Sequence, residues 1–191
     1  GLKGQVTYDE MLISRLSKEA RFAWRVKRDT AGDLGTLIHA WIEEYINSKI
    51  HNLPLPPSPI NPIIQSSVLK FIQWETDNVT RFIESEKKVY SLRHNIAGTA
   101  DLLYVNKAGK ICLGDIKTSN DMYKTFFVQV SGYKYMIEEE NSKIQIEEMT
   151  IVRVGKDDGE LEVKEVKDYP NYVKAFLACS VLHNIMKPIK S

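Results

Sequence analysis

Hydrophobic and polar positions along this chain change their period twice, and each change marks a change of element. From Asp33, a candidate cap, Leu34, Leu37, Ile38, Trp41, Ile42, Tyr45 and Ile46 recur at helical spacing and predict a helix to near Ile50. Upstream, residues 8–16 form a short helical stretch, and Ser17 is placed to cap a helix running to Arg28. Prolines at 54, 56, 57, 59 and 62 exclude helix and central strand, so residues 53–62 read as an extended surface connection. Ile64, Val68, Leu69, Phe71, Ile72, Val79, Phe82 and Ile83 then predict a long helix over residues 63–85.

The period next falls to two. Residues 89–92, 96–105 and 110–118 read as three strands, with Asn106-Lys107-Ala108-Gly109 as the turn between the last two. Helical spacing returns over residues 122–139. Residues 147–154 and 160–166 form a hairpin around the loop 155–159, and a last helix covers residues 172–185. This order predicts an α/β core carrying an N-terminal helical elaboration. The expected organisation is one domain over 1–191, with 1–85 mainly helical and 86–191 an α/β core.

Composition narrows the function classes. At 191 residues the chain should bury roughly 70% of its unfolded surface, so its core needs no disulfide or metal staple. No apolar run approaches the ~20 residues that span a bilayer. Residues 1–14 lack the apolar centre of a signal peptide. Cys112 and Cys179 read as two buried free thiols, which suits a reducing, cytoplasmic setting. Two cysteines cannot build a four-cysteine iron–sulfur cluster, and no phosphate-binding or dinucleotide-binding glycine motif is present, so no nucleotide cofactor is expected. The net charge of +1 argues on its face against a nucleic-acid partner. Charge is unevenly placed, however: residues 18–28 are strongly basic and residues 138–148 are rich in acids.

The chemistry concentrates in Gly98-Thr99-Ala100-Asp101 and Gly114-Asp115-Ile116-Lys117-Thr118. On a strand, Asp115 and Lys117 project to one face, and a hairpin can bring Asp101 beside Asp115. Two carboxylates sharing a site repel, and one stays protonated unless a cation intervenes. Mg2+ or Mn2+ meets that need with oxygen ligands, and a nearby lysine can then orient a water or offset phosphate charge. Taken alone, Asp-x-Lys is common on exposed strand edges. Its company matters more: Gln129 and Tyr133 stand four apart on the following helix, within reach of the same site. His39, with Glu43 one turn on, follows Gly35 at the border of an apolar stripe, and Glu86 precedes the first predicted strand.

Glycine-x-x-x-histidine, glycine-x-x-aspartate, aspartate-x-lysine and glutamine-x-x-x-tyrosine, in that order from Gly35 to Tyr133, resemble the RecB-type, exonuclease-like branch of the PD-(D/E)XK nuclease superfamily. The resemblance implies a restriction-endonuclease-like core, a mixed sheet flanked by helices. It implies His39, Asp101, Asp115 and the backbone carbonyl of Ile116 as metal ligands, and Lys117 as the catalytic lysine. Gln129 and Tyr133 would position substrate or brace the site, and Glu86 matches an accessory acidic position. Ala100 replaces the proline of the superfamily name, and Asp115 stands where glutamate is often found.

The expected function is therefore a Mg2+- or Mn2+-dependent deoxyribonuclease, exonuclease-like on DNA ends or single strands. It would have no membrane partner, and its protein partners would belong to recombination, repair or phage processing. Alternatives are a non-catalytic nucleic-acid-binding module and a scaffold subunit of a DNA-processing complex. Lys18, Arg21, Arg25 and Arg28 fall in one helical stripe suited to phosphates, and Lys124 and Lys134 are further candidates. Trp24 at the edge of that stripe, and Tyr123, Phe126 and Phe127, read as core aromatics or as stacking surfaces for bases.

Overall fold

In the computed structural model, residues 34–155 and 159–186 are described. The two helices expected within residues 8–28, with Trp24 and the basic stripe, lie outside them. The described elements are α1 (Leu34–His51), α2 (Pro62–Asn78), β1 (Val79–Ser91), β2 (Ile96–Asn106), β3 (Ile111–Lys117), α3 (Lys124–Glu140), β4 (Glu148–Val154), β5 (Leu161–Glu165) and α4 (Tyr169–Ile185).

Local chemistry sets several boundaries. Pro62 begins α2, and Asn61 Oδ1 accepts from the backbone N–H groups of Ile63 and Ile64 at 2.9 and 3.3 Å. The proline-rich connection is tied back onto α1, where Trp41 Nε1 donates to the Pro57 carbonyl at 2.8 Å. At the β2–β3 turn, Asn106 Oδ1 accepts from the N–H groups of Ala108 and Lys110, both at 3.0 Å, and Gly109 takes a φ of +82° that suits glycine.

The five strands lie in the order β1-β2-β3-β4-β5. All neighbours are antiparallel except β3 and β4, which run parallel because α3 intervenes as a crossover. One apolar cluster joins α1 and α2 to the sheet through Ile38, Ile42, Phe71, Leu102, Cys112 and Val152. A second joins the sheet to α3 and the connection before β4, through Leu103, Leu113, Val130, Met136, Ile146 and Ile151, with Phe176 of α4 packed against it. The sheet is thus covered by helices on both faces.

Two sequence expectations fail. The helix predicted to reach residue 85 stops at Asn78, and β1 begins directly at Val79. Register shifts against β2 between Val79 and Arg81 and between Phe82 and Glu84 break the strand's alternation. Buried Val79 and Phe82 therefore stand three apart, a spacing that imitates a helix. Cys179 is exposed rather than buried, because α4 buries none of its residues; both cysteines are free. No described helix is long and apolar enough to cross a membrane.

Candidate active site

The β2–β3 ladder runs from Val105 opposite Ile111 to Leu102 opposite Gly114 and stops there, while β3 continues beside β4 as far as Lys117. Beyond the stop, the Asp101 carboxylate replaces the missing strand partner: its Oδ2 accepts from the Ile116 N–H at 2.8 Å. The same oxygen lies 3.5 Å from His39 Nε2 of α1. That hydrogen bond raises the His39 pKa above its ordinary value against the opposing effect of burial, and the carboxylates of Asp101, Glu86 and Glu43 add to it. Gly35 makes the approach feasible. A Cβ on it would lie 2.6 Å from Thr118 Oγ1, so the start of α1 rests against the end of β3.

Among the described residues, the buried side chains without a hydrogen bond are Asp115 and Ser131, and only Asp115 is a carboxylate. It is 1% exposed, and neither carboxylate oxygen accepts a hydrogen bond. Lys117 Nζ lies 2.9 Å from Asp115 Oδ2, close enough for an ion pair without hydrogen-bond alignment. Burial, then the neighbouring Asp101 charge, push the Asp115 pKa up to about 7 despite Lys117. Lys117 Nζ also donates to Gln129 Oε1 at 2.9 Å and sits 5.3 Å from the Phe126 ring centroid. Gln129 Nε2 in turn meets the Tyr133 hydroxyl at 2.7 Å. The Tyr133 ring packs on Gly98, where a Cβ would stand 2.7 Å from Cε1. The glycine preceding Asp101 and the tyrosine following Gln129 are therefore two halves of one contact.

On the other side of Asp101, His39, Glu43 and Glu86 bring one ligand atom each within 4.8 Å of one another. Among the described residues this trio forms such a group, and it does not include Asp101 or Asp115. Glu86 adopts a left-handed φ of +52°, a conformation costly for a residue with a side chain. Burial, followed by the charges of Asp101 and Glu43, raises its pKa. Glu43 did not stand out as a ligand in the sequence; its position four residues after His39 on one helix is the signal that could have found it. The whole set is carboxylate oxygen with one imidazole, and it contains a buried carboxylate without a hydrogen bond. A hard divalent cation suits these donors.

Other expectations sort themselves by contact. Lys124 is exposed at the start of α3. Lys134 has a structural role: its ammonium pairs with Glu138 at 2.7 Å, donates to the Ile146 carbonyl and lies 5.0 Å from the Tyr169 ring centroid. Phe126 and Phe127 are half-buried against the second core cluster, whereas Tyr123 is 49% exposed.

No protein-family model and no curated protein sequence matches the chain. Among solved structures, it is similar to a candidate exonuclease from Eubacterium rectale at 9% identity and a TM-score of 0.52. That alignment covers 81% of this chain and 66% of the other. The protein SSO0001 aligns at 20% identity over 68% of this chain and 64% of its own length, with a TM-score of only 0.35. The chain thus spans just under two thirds of the length of either structure. At such identities the likeness concerns architecture, and this chain has the α/β fold of the restriction-endonuclease-like class: a five-stranded mixed sheet flanked by helices.

Proposed function

We propose that the protein is a metal-dependent deoxyribonuclease that hydrolyses phosphodiester bonds, exonuclease-like, on DNA ends or single strands. We read it as one nuclease-like domain over residues 1–191 working in the cytoplasm. The observation that carries the reading is Asp115: a nearly fully buried carboxylate with no hydrogen bond, beside Asp101 and next to a lysine held in place by Gln129. A buried carboxylate that no hydrogen bond satisfies is costly even beside a lysine, and two neighbouring carboxylates with one ammonium beside them suit a further positive charge.

The residues that would hold Mg2+ or Mn2+ are Asp101, Asp115, the Ile116 carbonyl and His39, with Glu86 and Glu43 adjoining. Such a cation, when bound, supplies Lewis acidity toward phosphate oxygen and lowers the pKa of a coordinated water. The remaining work belongs to the chain. Lys117, braced by Gln129 and the Phe126 ring, presents a fixed ammonium that orients the attacking water and offsets charge developing on the phosphate. Tyr133 holds Gln129 and so fixes the lysine at one remove. Asp101 couples the two sides of the site through His39 and the Ile116 N–H.

The test uses purified protein with Mn2+ and end-labelled single-stranded, linear duplex and circular DNA. Degradation of the first two, abolished by Asp115→Ala and by Lys117→Ala, is the expected result. Cleavage that survives both substitutions, or persists undiminished in EDTA, overturns the reading.

A further inference from the structure

Resting on that nuclease reading, we infer that Tyr123 is a stacking platform for an unpaired base of the substrate strand, which makes single-stranded nucleic acid the preferred substrate class. The residue occupies the N-cap of α3, a position where Ser, Thr, Asp or Asn normally satisfies a free backbone N–H. Tyr123 makes no such cap, so capping does not account for its presence. It leaves 49% of its surface to solvent while its ring meets Phe126 edge-on, at 5.5 Å between centroids and 88° between planes. Phe126 in turn lies against Lys117 Nζ. The open ring is thus two contacts away from the proposed catalytic ammonium.

The loop that presents this ring is firmly held. Arg153, only 8% exposed, donates through Nη1 to the carbonyls of Ser119 and Asn120 at 2.9 and 3.1 Å, and Glu162 Oε2 accepts from its Nε at 3.1 Å. Ser119 Oγ donates to the Asp121 carbonyl at 2.7 Å, and the Tyr123 hydroxyl donates to Asp121 Oδ2 at 3.4 Å. A half-exposed aromatic on a loop pinned by a buried arginine is preorganised for a planar partner. Stacking on such a ring tolerates any base but requires that base to be unpaired. Lys124, the next residue, is exposed beside it and suits the adjoining phosphate.

The experiment measures steady-state cleavage of a single-stranded oligonucleotide by the full chain with Mn2+. Tyr123→Ala should raise KM about 5- to 100-fold, the range expected for losing one base–aromatic stack, with kcat little changed. Tyr123→Trp should retain the wild-type KM. In parallel, a 2-aminopurine strand should be quenched on binding to the Lys117→Ala protein, and that quench should vanish with Tyr123→Ala added. Wild-type cleavage with KM and quench indifferent to Tyr123→Ala overturns the stacking inference alone. A Tyr123-dependent quench in a protein that cleaves no DNA supports the stacking and overturns the nuclease reading.

Discussion

The two ends of the β2–β3 pair solve the same problem in opposite ways. At the turn end, polar groups are matched. Asn106 accepts from Ala108 and Lys110 and donates through Nδ2 to Glu148 Oε2 at 2.8 Å, and Lys110 pairs with the other Glu148 oxygen at 2.5 Å. At the opposite end the strands part. There Asp115 is buried without a hydrogen bond, beside Asp101, with His39, Glu43 and Glu86 crowded nearby. A network complete in itself stabilises a fold, whereas crowded carboxylates with only Lys117 and His39 to offset them leave room for a further positive charge. Each end serves as the control for the other.

The largest contrast concerns cleavage. Lys117→Ala or Asp115→Asn should lower the rate on the order of 10³-fold or more, as expected when a charge-stabilising group is lost, while Asn106→Ala leaves it unchanged. A gel assay with Mn2+ checks all three. Above pH 7, where Asp115 is ionised, Asp115→Asn should also raise the melting temperature of the metal-free protein, since it removes a buried charge.

Next comes pH. The Asp115 pKa in the folded chain, about 7, lies above its unfolded value, so between pH 4 and 7 the native state binds more protons than the unfolded one. The contribution of Asp115 to metal-free stability should therefore be greatest at the acid side of that window and fall as pH rises through it. The contribution is up to about 4 kcal/mol for this one group. The raised values of His39 and Glu86 act in the same direction. Denaturant titrations across the window should show the slope in the wild-type chain, a flatter one in Asp115→Asn, and a flatter one again with Mn2+ present.

Metal affinity should respond less steeply. His39→Ala should weaken Mn2+ binding by calorimetry about 10- to 100-fold, the scale on which metal sites lose affinity when a supporting group is removed. Glu43→Gln separates the roles of the trio: a comparable loss places a cation among His39, Glu43 and Glu86, and an unchanged affinity restricts it to the Asp101–Asp115 side. The smallest effect belongs to the satisfied end. Asn106→Ala should cost about 1–2 kcal/mol of stability, as lost hydrogen bonds generally do, without altering the pH slope.

How much of this was legible in the sequence differs from residue to residue. Helix α1 could be read because its buried positions keep one period. Strand β1 misled because its bulges reset the alternation, and a spacing of three between Val79 and Phe82 is what a helix would also give. Asp101, Asp115, Lys117, Gln129 and Tyr133 stood out through their order and spacing, and the Lys117–Gln129–Tyr133 chain is the contact that the spacing anticipated. Two features were out of reach. The meeting of Glu86 with Glu43 depends on how β1 lies against α1, and the anchoring of the loop before Tyr123 depends on Arg153, thirty positions after that tyrosine.

By itself the sequence determined the succession of elements and which side chains share a face, because period and turn chemistry act over a few neighbours. Only the tertiary structure decided that β2 and β3 separate at Leu102, and that His39 reaches an aspartate 62 positions away. It alone decided that Asp115 lies buried without a hydrogen bond. Burial and charge pairing depend on whatever surrounds a group in space, and for Asp115 the charges come from Asp101 of β2, Lys117 of β3 and His39 of α1.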